Sequence, residues 1–519
     1  MGPLRSQHSK LFVFRGMLFI CLVAVTLCNA GCGGVAGELT SATSPPPTPN
    51  LTAGDVTALV QAAAQAADAN TMVIAVVDRA GNILAVFRKP AAPTLASGNF
   101  GAQVDANELA VSLARTAAFF SNDQAPLSSR TVRFISGIHF PPGIAGASSA
   151  PLYGIENTNR GCWLSANFIA GQAVPPARSI NGASTGLGIA TGKADLNDSD
   201  PSAVNPGGVP LFRNGSVVGG IGVAGVAGDV AEFTAYAAAT SNGFGPAPAA
   251  PGVVIIGGVA LPFVNQTTRP AGVGTGNVTG SFIVGPLASP GPAPEGMLIA
   301  PAAGPVGGLS ATDVAQIINN AIATANTTHA VIRLPIGSSA RMAIAVADLD
   351  GTVIGLYRMA DGTVFSVDVA ATKARNMVYF NSAARTAADL NGVPVGTAVT
   401  NRTIGFGAQP IYPPGIDGTA AGPFFNLYER DVANPCTQGF AVAGANQSGI
   451  VFFPGSVPLY RSGVLVGGLG ISGDGVDQDD FVAAGGAAGF DAPTAIRADQ
   501  VILQNVRLPY LKFPQNPTN

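Results

Sequence analysis

Asn205 to Phe233 reads NPGGVPLFRNGSVVGGIGVAGVAGDVAEF, and Phe453 to Phe481 reads FPGSVPLYRSGVLVGGLGISGDGVDQDDF. In each stretch two apolar, β-branched runs flank a two-residue turn, Asn214-Gly215 or Ser462-Gly463, and a glycine-rich turn then leads into a helix. One structural unit is therefore written twice. Both glycine runs, Gly220 to Gly225 and Gly468 to Gly473, fit G-x-G-x-x-G literally. They lie in and after the second strand of a hairpin, not in the first turn of a βαβ unit. In the second copy the next helix also opens with Asp474, Asp477, Asp479 and Asp480, at the end where a pyrophosphate would have to sit. Nucleotide binding is not expected. The four acids are read as caps that neutralise the helix start, with a bound hard cation as the lesser alternative.

Working outward, Leu51-Thr52-Ala53-Gly54-Asp55-Val56 returns as Leu309-Ser310-Ala311-Thr312-Asp313-Val314. A hydroxyl three residues before an acid predicts a capping box, and the apolar spacing after it predicts an amphipathic helix in each copy. IAVVDRAGNILAVFR (Ile74 to Arg88) matches IAVADLDGTVIGLYR (Ile344 to Arg358), a hairpin about an Asp-x-x-Gly turn that lacks the spaced ligands of a calcium loop. A second helix is expected around 107–120 and 367–380, aligned through Ala114-Arg115 and Ala374-Arg375. Arg130-Thr131 and Pro141-Pro142-Gly143-Ile144 are echoed by Arg402-Thr403 and Pro413-Pro414-Gly415-Ile416, each set followed by a long polar excursion. Each copy is expected to close on an apolar strand ending in Leu261-Pro262-Phe263 or Leu508-Pro509-Tyr510, at a strand end or sheet edge because proline cannot donate to a ladder. The copies run over 51–266 and 309–513, with a Gly/Pro/Ala-rich connector at 267–308 and a tail at 514–519. Such a pair is expected to pack about a pseudo-twofold axis.

At the N-terminus Arg5, Lys10 and Arg15 precede an apolar run from Met17 to Leu27, too short to span a bilayer. Residues 1–31 are read as a lipoprotein signal peptide cleaved before a lipidated Cys32, and 32–50 as a Ser/Thr/Pro-rich tether. The expected product is exported and membrane-anchored, in the periplasm or at the cell surface. Charged residues make up 11% of the chain and the formal net charge is -3, so no basic face exists to displace counterions from nucleic acid.

The Asp-x-x-Gly hairpin followed by Arg358-Met359, the helix carrying Lys373-Ala374 and the run Pro454-Gly455 to Gly473 resemble the GlcG/HbpS-like family of haem-binding or haem-degrading domains, in two tandem copies. The resemblance implies an α/β (α+β) fold of profilin-like domains, each an antiparallel sheet flanked by helices. It also implies binding of haem or a related planar apolar molecule for sensing, storage or transfer. The long excursions have no match in compact members. Leu113 stands where the second copy has Lys373, and Lys89-Pro90 replaces Met359-Ala360, so if only one copy keeps a ligand site the second is the better candidate.

Haem asks for an apolar slot, an axial ligand and cations for its propionates. Arg88, Arg358, Lys373, Arg130 and Arg402 are the candidate cations, with His139, and less so His329, the candidate axial ligand; Ile411 replaces His139 in the second copy. Cys162 and Cys436, one per copy, are read as a disulfide across the axis, as free thiols or as a haem thiolate. No C-x-x-C-H occurs, and no Ser/His/Asp or Cys/His set repeats in both copies, so hydrolysis is not expected. A cofactor-free envelope protein that binds other proteins is the alternative function, and a haem-degrading enzyme a weaker one.

Overall fold

The computed structural model describes residues 50–97, 103–155, 205–246, 252–434, 437–442 and 446–518. Cys32, Cys162 and Cys436, and residues 1–49, where the leader and most of the tether are expected, lie outside the described residues.

The first copy opens with α1 (Ala53–Ala66), where Thr52 Oγ1 accepts from Asp55 N at 3.2 Å and Thr52 N donates to Asp55 Oδ2 at 2.8 Å. Next come β1 (Val73–Asp78), β2 (Ile83–Arg88), a small pair β3 (Leu95–Ser97) and β4 (Gln103–Asp105), α2 (Ala106–Phe120) and α3 (Ser129–Phe134). After the excursion the chain forms β5 (Gly208–Arg213), β6 (Ser216–Ala224), α4 (Gly228–Ser241) and the pair β7 (Ile255–Ile256) and β8 (Val259–Ala260). The connector holds β9 (Ser281–Val284) and β10 (Gly296–Ile299).

The second copy repeats this plan with α5 (Ala311–Thr327), β11 (Met342–Ala347), β12 (Val353–Arg358), α6 (Phe365–Asn381), α7 (Asn401–Gly407), α8 (Phe425–Ala433), β13 (Ser456–Arg461), β14 (Val464–Gly473), α9 (Val476–Gly486), β15 (Ile502–Leu503) and β16 (Val506–Arg507). Ser310 and Asp313 rebuild the capping box at 3.1 and 2.7 Å.

Two five-stranded antiparallel sheets result, ordered β5-β6-β1-β2-β9 and β13-β14-β11-β12-β10. They agree down to register: Pro210 faces Gly220 as Pro458 faces Gly468, with a bulge one step further on in both. The α+β architecture with two repeated domains is the one the repeat implies. One expectation is corrected. The Leu-Pro-aromatic segments do not close the sheets; they follow the separate hairpins β7-β8 and β15-β16, and the fifth strand of each sheet comes from the connector. Short helices hold those segments instead, Thr131 Oγ1 donating to Pro262 O and Thr403 Oγ1 to Pro509 O, each at 2.6 Å.

Each sheet is sandwiched, α1 and α4 on one face and α2 on the other in the first copy, α5 and α9 opposite α6 in the second. The glycines of the motif make the α2 and α6 contacts possible. A Cβ on Gly220 or Gly222 would lie 2.2 or 2.1 Å from the carbonyls of Ala114 and Ala110, and on Gly468 or Gly470 it would lie 2.2 or 2.0 Å from those of Ala374 and Ala370. The G-x-G-x-x-G runs thus serve close helix-to-sheet packing.

Between the copies, Phe120 stacks on Phe365 with centroids 4.0 Å apart, and Val364 N donates to Phe119 O at 3.0 Å, joining the end of α2 to the start of α6. Asn122 Nδ2 donates to Ile332 O, and Tyr153 Oη to Ala408 O, both at 2.9 Å. The equivalent Pro-Pro-Gly loops also meet, a Cβ on Gly415 falling 3.5 Å from Gly146 O, as two related surfaces facing each other would require. Among the described residues no helix is long and apolar enough to cross a membrane.

Candidate functional site

A cleft of about 840 Å³ lies between the copies. Phe120 and Phe140 from the first copy and Phe365, Phe406, Phe452 and Phe453 from the second give it aromatic walls, while Arg402, Asp477, Asp479 and Lys512 supply charge from one side. The volume and apolar lining are those of a small-molecule site.

The predicted residues divide by location. Lys373, in the middle of α6, is fully buried beside the cleft; its Nζ donates to Ile471 O at 2.7 Å and Asp479 Oδ2 at 3.0 Å, and sits 4.7 Å from the Phe453 ring centroid. Burial lowers the lysine pKa and pushes Asp479 up to about 7, Lys373 opposing that rise while Asp480 and Asp474 add to it. Arg402, on the cleft wall, donates to Asp480 at 2.5 Å and Asp477 at 2.6 Å. Arg130 makes the equivalent bond to Glu232 at 2.6 Å in the first copy, and the same acids cap the backbone of the closing segments at Asn265 and Lys512. This pair is repeated framework.

Arg88 and Arg358 hold the chain that follows each hairpin. Arg88 bonds Asn107 Oδ1 at 2.7 Å and Ala92 O at 2.6 Å; Arg358, buried, bonds the carbonyls of Gly362 and Pro294, and burial brings its pKa down to about 10. Neither lines the cleft. His139 is buried with Nε2 2.9 Å from Asp417 Oδ1, one residue from the wall residue Phe140 but not itself on the wall. His329 lies elsewhere, its backbone N–H donating to Pro517 O.

The acids before and within α9 are not caps. The helix has no side-chain cap hydrogen bond, and each acid instead faces a cation: Asp474 meets Arg333, Asp479 meets Lys373, Asp480 meets Arg402, and Asp477 bridges Arg402 and Lys512. Their partners come from distant segments, so no local pattern announced them. Sequence reasoning also missed Arg115 and Arg375, whose Nε atoms hold the hairpin-turn carbonyls of Gly81 and Gly351 at 2.9 and 2.8 Å, although the paired Ala-Arg dipeptides were visible. Arg333 was missed as well; it joins Asp361 at 2.6 Å and Gln124 of the first copy at 3.2 Å. Among the described residues no three His, Cys, Asp or Glu side chains are placed to hold a metal ion.

Among solved structures, the chain is similar to PduOC in its complex with heme (25% identity over 36% of this chain and 97% of that chain, TM-score 0.23). It is similar also to the Klebsiella pneumoniae protein ORFY (18%, 36% and 92%, TM-score 0.23) and to a double mutant of Streptomyces reticuli HbpS (21%, 41% and 98%, TM-score 0.18). No curated protein matches it. The family model described as haem degrading protein HbpS-like matches residues 51–240 and again 309–488. Those two spans take in most of the sequence and hold four of the five strands of each repeated sheet, and the chain is therefore a member of the HbpS-like family carrying two tandem copies of its domain.

Proposed function

We propose that this protein binds haem or a similar planar apolar molecule in the cleft between its two copies, for sensing, storage or transfer, while a lipid on Cys32 holds it to the membrane after export. The aromatic cleft of about 840 Å³ carries the reading, and membership of a family described as haem degrading supports it. The walls suit a flat macrocycle, and Arg402 and Lys512 are the cations placed to meet its propionates, in competition with Asp477. Bound haem would bring its own redox chemistry. The donor set for iron fits less well: among the described wall residues there is no His, Cys or Met, and the phenol of Tyr153 is engaged with Ala408 O.

A Soret titration of the mature chain tests the reading. Saturable binding at micromolar protein, weakened at least tenfold by Phe365→Ala, is expected; no binding of any tetrapyrrole would sink it and favour the second reading, an envelope protein that recognises other proteins without a cofactor. That second reading draws on the ion pairing already present around Lys373, Arg402 and Arg130. The anchor is checked separately, by incorporation of labelled palmitate that Cys32→Ala abolishes.

A further inference from the structure

Beside the cleft, the second copy holds a buried ion pair where the first has none. A Cβ on Gly455 would lie 2.5 Å from Ile471 O, 2.6 Å from Asp479 Cβ and 2.6 Å from Lys373 Nζ; on Gly207 it would lie 2.5 Å from Val223 O, 3.1 Å from Ala231 Cβ and 3.6 Å from Leu113 Cδ1. These are the same positions in the two copies, so the fold is built equally well with leucine and alanine there. Burying two charges where an apolar pair would do is seldom stabilising. Lys373 and Asp479 therefore need an explanation other than stability.

The oxygens supply one. Both carboxylate oxygens of Asp477 and of Asp480 are hydrogen-bonded, whereas Asp479 uses only Oδ2, on Lys373. Its Oδ1 is buried with no partner, on a residue that lines the cleft. A buried acceptor left unpaired favours whatever brings it a donor. Haem brings none: its polar groups are carboxylates, and its iron finds no His, Cys or Met on the described wall, where the Tyr153 phenol is engaged with Ala408 O. A ring-opened tetrapyrrole keeps a long apolar body and exposes pyrrole N–H groups, whereas a closed metal-free ring points its two N–H groups at its own centre, out of line with a side-chain oxygen.

We propose that Asp479 is the polar anchor of the cleft, its Oδ1 accepting a hydrogen bond from a pyrrole N–H, so that the protein selects ring-opened tetrapyrroles over haem. This rests on the cleft being the ligand site. The mature chain is titrated with protoporphyrin IX, biliverdin, zinc protoporphyrin and haemin. Biliverdin is expected to bind at least tenfold tighter than haemin, protoporphyrin IX and zinc protoporphyrin, the closed rings that offer no N–H group in line with a side chain. The variant Lys373→Leu/Asp479→Ala, which installs the pair of the first copy, is expected to lose that preference. Preference for haemin, equal affinity for biliverdin and the closed rings, or a preference unchanged in the double variant would overturn the proposal and leave the cleft reading standing. Failure to bind any of the four would remove both. The comparison of open with closed rings needs only the unmodified protein, so it decides the matter even if the variant does not fold.

Discussion

The cradle around Gly207 and the cradle around Gly455 share one backbone and differ in chemistry. Both receive an arginine from the short helix behind them, Arg130 onto Glu232 and Arg402 onto Asp480, and both tie the closing Leu-Pro-aromatic segment through a threonine. Inside that shared frame the first copy places Leu113 and Ala231, the second Lys373 and Asp479. What is common to the copies marks what the fold needs. What differs marks where one copy has been given a task, and the difference lies against the cleft.

The comparison can be broken most forcefully by removing half of the charged pair. Lys373→Leu alone strands Asp479 in a fully buried place and should lower unfolding free energy by about 3–5 kcal/mol in a urea titration. Adding Asp479→Ala should recover most of it; equal stability of single and double variants would show that the two cradles are not interchangeable. A smaller effect probes what the copies share. Gly222→Ala and Gly470→Ala push a methyl group to 2.1 and 2.0 Å from the Ala110 and Ala370 carbonyls, and each should cost about 1–3 kcal/mol by the same assay. A loss in one copy without the other would mean that the helices sit on their sheets differently.

The smallest effect is a slope with pH. Asp479 stands at about 7 when folded and near 3.8 otherwise, so the native state keeps a proton that the unfolded chain has released. Stability must fall as pH rises between those values. Lys373, whose pKa is lowered, acts in the opposite sense toward alkaline pH. Subtracting the melts of the Lys373→Leu/Asp479→Ala variant from those of the unmodified protein cancels the other buried acids, and the difference should decline from about pH 4 to about pH 7. A flat difference would mean that the pair stays charged throughout.

Much of the architecture was legible because its signals are local and occur twice. Thr52 with Asp55 and Ser310 with Asp313 announce their helices within three residues, and the paired hairpins appear with matching registers. The connector strands were not legible: Ser281–Val284 and Gly296–Ile299 are four residues each, set among prolines and glycines, and only the neighbouring sheet makes them strands. At the site, the candidates Lys373 and Arg402 come together beside the cleft, but their counter-charges do not reveal themselves in sequence, since Asp479 is 106 residues from Lys373 and Asp480 78 from Arg402. Arg88 and Arg358 drew attention as hairpin-end cations and prove to bind the chain next to them, because a buried guanidinium satisfies its donors on nearby carbonyls.

The strands lent by the connector bear on how the chain can be cut. β9 completes the first sheet and β10 the second, so the halves are stitched by a segment that belongs to both. Scissors placed between Val284 and Gly296 leave each half its outer strand; a cut at either end of the connector strips one sheet and bares β2 or β12 as a sticky rim. A gene fragment that is to keep one sheet whole therefore begins or ends within those few residues.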